Sequence, residues 1–169
     1  PSRKDPARVV GGLEDGLASL RWAGGRWVDE GKIPGVTDEI RTLYEGADGR
    51  LWLGTRSKGV LRLTFAANAN PIVERFEMAE GLPNPSDNRV YDFNGELLLA
   101  THRGLYRFDE AGHRFVPDPR FARLFPQDRW VMGLRPDAGG RIWMHAVDEA
   151  RNLRETGAAQ PQGDGTYRW

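Results

Sequence analysis

The stretch DGRLWLGTRSKGVLRL, from Asp48 to Leu63, returns twice in altered form: as NGELLLATHRGLYRF from Asn94 to Phe108, and as GGRIWMHAVDEARNLR from Gly139 to Arg154. A fainter copy, RVVGGLEDGLASLRW, runs from Arg8 to Trp22. Aligned on their apolar cores, Val9, Trp52, Leu98 and Trp143 share one column, spaced 43, 46 and 45 residues apart. Each copy is a short apolar run, a turn and a second run, with glycine where the chain must reverse. Self-similarity at roughly 40–50 residues, built from such hairpins, marks β-propeller blades, because one small sheet cannot bury both its faces and must stack on its neighbours. The repeat therefore predicts an all-β chain of four-stranded antiparallel blades.

The best preserved copy shows how four strands arise. Glu39 to Tyr44 alternates in part, with Ile40 and Leu43 apolar. Gly46-Ala47-Asp48-Gly49 supplies residues that tolerate a tight hairpin. Leu51 to Thr55 is nearly all apolar, as befits a strand covered on both faces. Gly59 to Leu63 and Ile72 to Phe76 complete the blade. The same reading divides residues 1–169 into a partial blade over 1–30, blades over 38–77 and 87–118, and an incomplete blade over 129–169. That is about three and a half blades, where closed rings hold roughly four to eight. The expectation is a partial propeller or fragment, with a small ring as the alternative. An open arc exposes strand edges, through which other blades or a second copy would associate.

Composition narrows the function classes. The 24 basic residues balance 24 acidic ones, so charge gives no reason to expect nucleic acid or an anionic membrane as a partner. Only Lys4, Lys32 and Lys58 are lysines. No apolar run approaches the ~20 residues of a spanning helix, so direct membrane contact is not expected of this segment. Cysteine is absent, which removes disulfides and thiol chemistry. Glycine pairs such as Gly24-Gly25 lack the following helix that a phosphate cradle needs, and no pattern calls for a cofactor.

The passage Glu80-Gly81-Leu82-Pro83-Asn84, followed by Asn88 to Thr101 and Gly104-Leu105-Tyr106-Arg107-Phe108, resembles the two-component-regulator propeller repeat. Asp48-Gly49-Arg50-Leu51-Trp52-Leu53-Gly54-Thr55 resembles its second half more closely still. The last copy departs from the family pattern, with Met144-His145-Ala146 in place of an apolar residue, Gly and Thr. The resemblance implies a bacterial signal-transduction receptor whose periplasmic or otherwise extracytoplasmic propeller senses a ligand without catalysis, ahead of a kinase or cyclase output. The alternatives are a propeller lyase of the streptogramin-lyase kind and a protein-interaction scaffold.

Candidate site residues follow from the repeat. Residues just after equivalent strands emerge on one face, so Leu13, Arg56, His102 and Val147 should ring one end of the channel. Lys58 and Arg103 lie in the same loops, and Asn88 and Trp130 end the loops that lead into two blades. Arg56, Lys58, Asn88, His102, Arg103 and Trp130 are thus expected to line a ligand face. Basic groups beside an aromatic platform suit an anionic or sugar-like small molecule. Trp52 and Trp143 are expected to fill space between blades, and Thr55 and Thr101 to bond neighbouring blades. A metal is not expected, since three histidines without cysteine or H-x-x-x-H spacing make a poor ligand set. Were the chain a lyase, His102 with Asp38 or Asp87 would supply the base and its orienting carboxylate.

Overall fold

The computed structural model describes residues 1–66, 70–125 and 128–169. Strands β1 (Arg8–Leu13), β2 (Gly16–Ala23) and β3 (Arg26–Lys32) form the first sheet. The second holds β4 (Ile40–Glu45), β5 (Leu51–Thr55), β6 (Val60–Thr64) and β7 (Ile72–Phe76). The third holds β8 (Arg89–Phe93), β9 (Glu96–Thr101), β10 (Gly104–Asp109) and β11 (Arg114–Pro117). The last holds β12 (Trp130–Pro136), β13 (Ile142–Asp148), β14 (Leu153–Pro161) and β15 (Tyr167–Arg168). Every sheet is an antiparallel meander in chain order, and the helical turn Pro119–Phe121 is the only one among the described residues. The chain is an all-β, partial propeller.

The sheets stack through alternate faces of their strands. Leu51 and Leu53 of β5 join Leu17, Ile33 and Ile40 in a core between the first and second blades. Trp52, between them, points the other way and joins Val90, Leu99, Tyr106 and Phe115 in a core between the second and third. Leu98 and Ala100 do the same against Val131, Ile142 and Met144 of the last blade. Each blade therefore has a backward face and a forward face, set by the two-residue period of the strand.

That period corrects the repeat alignment in the first blade. Gly12, where a Cβ would meet Ile40 of β4, matches Gly54, where a Cβ would overlap the Asn88 carbonyl at the start of β8. Val10 packs against the core between the first two blades. The forward column is therefore Val10, Trp52, Leu98 and Trp143, and Val9 points backward. A slip of one residue exchanges the faces of a strand, and apolar residues on both sides of Val9 hide the slip in sequence.

Trp143 is corrected as well. Trp52 is 5% exposed and Trp143 is 45% exposed, because no sheet covers the forward face of the last blade. This also explains the departure at His145: the backbone of a following inner strand demands glycine at Gly54, and no such strand crowds His145. What the ends of the arc leave bare is a sheet face rather than the strand edge expected from sequence. On the first blade the bare face carries Leu13, Leu20, Trp22 and Trp27.

Trp52→Ala should cost about 3–5 kcal/mol of unfolding free energy, as loss of a packed aromatic does. Trp143→Ala, in dilute solution, should stay within about 0.5 kcal/mol. Urea titration of both variants checks the pair, and equal costs would refute the face assignment.

Candidate functional site at the loop face

Loops leading into each blade meet the turn between the middle strands of the blade before. Gly59 N–H donates to the Pro85 carbonyl (2.8 Å), Asp87 N–H to the Arg56 carbonyl (2.7 Å), and Gly104 N–H to the Arg129 carbonyl (2.9 Å). Backbone thus ties the two loop sets onto one face. Gly81 holds φ +91°, where a Cβ would overlap the Phe115 carbonyl, so the Gly-Leu-Pro loop can approach the outer strand only as glycine. Thr55 and Thr101 do not bridge blades. The Thr55 hydroxyl donates to the Gly59 carbonyl (2.8 Å) and accepts from Lys58 N–H (2.9 Å), pinning its own turn. Thr101 does likewise with Gly104 and Arg103.

Between the third and last blades this face opens into a cavity of about 400 Å³. His102, Arg103, Asp128, Trp130, Asp148 and Glu149 line it. The His102 and Trp130 rings lie 4.3 Å apart and within 7° of parallel. His102 Nδ1 sits 3.1 Å from Glu149. Trp130 is therefore not a bare platform, since one of its faces is taken by imidazole. His102 Nε2 and Trp130 Nε1 have no hydrogen-bond partner among the described residues. Under the cavity, Arg129 and Asp148 form a buried ion pair, 7% and 5% exposed. Burial works to raise the Asp148 carboxyl, but the Arg151 amide and the Arg129 guanidinium outweigh it and hold it below the usual carboxylate range.

The other expected residues stand apart from this cavity. Arg56 belongs to the preceding blade's turn and pairs with Glu39 at 3.0 Å. Lys58 pairs with Asp38 at 3.3 Å, and Arg75 reaches the same carboxylate at 2.7 Å. Asn88 is a correction: it is fully buried, its amide donating to the Asn84 carbonyl (2.9 Å), so it anchors a loop and does not face the channel. Leu13 leaves the rim column once the first blade is realigned, and Glu14 takes its place. Gln127, in the loop that leads to Trp130, lies outside the described residues.

Electrostatics also differs from expectation. Arg56, Lys58 and Arg103 each have a carboxylate partner, the last being Asp128 at 3.5 Å. The rim is a set of compensated pairs rather than a cationic mouth. Nor does His102 meet Asp38 or Asp87, for its partner is Glu149. His145 contacts Thr156 at 3.0 Å within its own sheet, and His113 lies at the outer side near Glu74. Among the described residues no cluster of three potential ligands would hold a metal. Asp128 lies in the loop leading to Trp130, which was expected on this face, whereas Asp148 and Glu149 were not singled out from sequence, although they directly follow the rim position Val147.

Residues 34–57 match the family model of the two component regulator propeller. The match runs from a loop on this face through β4 and β5, the part of the repeat that sets the rim. A search of curated proteins finds no match to the chain. Among solved structures, the chain is similar to the extracellular domain of a proposed one component system from B. thetaiotaomicron, with 18% identity and a TM-score of 0.56 over 94% of this chain and 23% of that one. It is similar too to the extracellular domain of a proposed hybrid two component system from the same organism, at 18% identity and a TM-score of 0.61, covering 98% of this chain and 25% of that one. The chain thus spans about a quarter of either structure, and at this identity the likeness concerns fold. The chain is a partial β-propeller, and residues 34–57 are the part of it that matches the two component regulator propeller model.

Asp38 offers a test of the rim's ion pairs. Burial raises its carboxyl, and Arg75 and Lys58 more than reverse that, leaving its folded pKa below the usual value. Its unfolded pKa lies near 3.9, so the stabilisation is whole above about pH 4 and is lost as pH falls through the folded value. Asp38→Asn should be less stable than the parent at pH 7, and the gap should close on acidification. Thermal melts across pH 2–7 check this, and a gap that widens at low pH would contradict it.

Proposed function

We propose that this segment is a sensory, ligand-binding part of a bacterial signalling receptor, acting outside the cytoplasm and without catalysis. The family match and the extracellular signalling domains that share the fold support the receptor reading. The observation that carries the binding reading is the cavity at His102 and Trp130. It sits on the loop face, where a propeller varies side chains without disturbing its blades. Two ring nitrogens there lack partners, and buried polar atoms left unpaired mark places where a ligand can complete the hydrogen bonding.

The chemistry favours a neutral, hydroxyl-rich molecule of the sugar type over an anion. Arg56, Lys58 and Arg103 each already have a carboxylate, so an anion bound to one of them would have to displace it. Sugar hydroxyls both donate and accept, which suits Arg103, Asp128, Glu149 and the His102 edge together. Binding rather than turnover is favoured because the carboxylate paired with His102 is 61% exposed to water and the imidazole is stacked flat on Trp130, so His102 lacks the buried, fixed carboxylate that orients a catalytic base.

A titration calorimetry panel of neutral and acidic oligosaccharides tests the reading. A neutral sugar should bind, and His102→Ala should weaken it about tenfold, equivalent to about 1.4 kcal/mol. Arg56→Ala should leave affinity within about twofold. Binding that survives His102→Ala in a folded variant, or that is lost only with Arg56→Ala, would overturn the assignment.

A further inference from the structure

On the face opposite the loops, hairpin turns of the second and third blades bound a second cavity, of about 460 Å³. Tyr44, Trp52, Leu97 and Phe108 give it apolar walls, and Glu110, in the turn between β10 and β11, lines it as well. Against this wall lies the Arg62 guanidinium, its carbon 5.1 Å from the Trp52 ring and 5.3 Å from that of Phe108. The side chain is 6% exposed, and Glu74 takes its Nε and Nη2. Nη1 is buried and has no hydrogen-bond partner among the described residues. The Glu110 carboxylate stands 3.6 Å from it, beyond hydrogen-bond reach.

We propose that this cavity binds a small carboxylate with a flat apolar body, whose carboxylate takes the place of Glu110 at Arg62 Nη1. A buried donor without a partner carries a standing cost, and a charged acceptor at bonding distance removes it. Glu110 does not remove it. Its side chain is 67% exposed, and it stops 3.6 Å from Arg62 and 3.5 Å from Arg50. A free carboxylate is not tethered to a turn and can close both gaps. The cavity beside Nη1 takes the rest of the molecule, at a size within the roughly 300–1,000 Å³ of small-molecule sites. Its aromatic walls suit a ring.

Charge allows the exchange. The carboxylates of Asp48 and Glu96, which also line the cavity, are held by Arg50 at 3.3 Å and by Arg120 at 3.0 Å. A ligand carboxylate that enters as Glu110 swings out to water replaces one negative charge by another, so no uncompensated charge is buried beside Arg62. An inorganic anion fits less well, because it leaves the apolar walls uncovered. The site is separate from the cavity at His102 and Trp130. It lies at the other ends of the strands, between the second and third blades, and it selects an anion where the loop face selects a neutral molecule.

Titration of the isotope-labelled chain with benzoate, followed by amide NMR, tests this, with benzamide and sulfate as controls. Benzoate should shift the Trp52 indole N–H and the amides of Glu110 and Ala111 saturably, and neither control should. Glu110→Gln removes the internal competitor and should tighten benzoate about threefold or more. Arg50→Ala should weaken it about tenfold. Arg62→Lys keeps the charge but loses the fork and should abolish binding; if that variant fails to fold, the Glu110 and Arg50 variants carry the test. No saturable shift in either the parent or Glu110→Gln would overturn the proposal, as would weaker binding in Glu110→Gln. Benzamide or sulfate binding as well as benzoate would overturn the ligand class. Shifts confined to His102 and Trp130 would put benzoate on the loop face and overturn the site.

Discussion

Everything in this molecule depends on sheets that each have two unlike apolar faces and no independent core. A four-stranded meander has no interior of its own, so burial happens only between blades. The interface between the second and third blades shows how tightly that is built. Trp52, Phe76, Phe108 and Phe115 meet with centroids 4.8 to 5.9 Å apart. Arg62 enters the same cluster almost completely buried, its guanidinium 5.1 to 5.3 Å from three of the rings. Such a charge is tolerable only when paired: Glu74 takes Nε and Nη2 in a two-pronged pair at 2.8 and 3.0 Å, and the Glu110 carboxylate stands 3.6 Å from Nη1. The arginine stem fills volume while its head is neutralised at the outer strand.

The loop face is a consequence of the same stacking. Because each blade's first strand starts where its neighbour's second strand ends, loops from two blades converge, and backbone hydrogen bonds bind them before any side chain takes part. The scaffold leaves side chains there free to differ from blade to blade. On the second blade the result is a closed set of ion pairs around Asp38. Between the third and last it is an open cavity with a stacked His–Trp pair over a buried Arg–Asp pair. Blade stacking sets where a site lies, and a few rim residues set what it accepts.

The architecture was legible in sequence because apolar runs and turns repeat every 42–46 residues, a period that a one-residue slip in the first copy barely alters. The family resemblance rested on the same residues, and the matched span, 34–57, contains the Asp48–Thr55 stretch that suggested it. What sequence hid is physical in each case. Val9 and Val10 are equally apolar, so only the contact of Gly12 with β4 tells which faces forward. Trp52 and Trp143 are the same residue in the same column, and only the presence of a following blade separates a buried ring from an exposed one. Asn88 is polar and follows a loop, yet its amide is spent on closing that loop. The basic residues of the rim were visible, and their carboxylate partners, brought from other loops by the fold, were not.

The central claim is that Trp52 stabilises the chain by packing across a blade boundary on Phe108. A double-mutant cycle with Trp52→Leu and Phe108→Leu, measured by urea unfolding, addresses that contact directly. Aromatic pairs of this kind couple by about 0.5–1.5 kcal/mol beyond burial, and the account predicts a coupling in that range. Additivity of the two single changes to within about 0.3 kcal/mol would contradict it, because it would mean that the two rings do not meet.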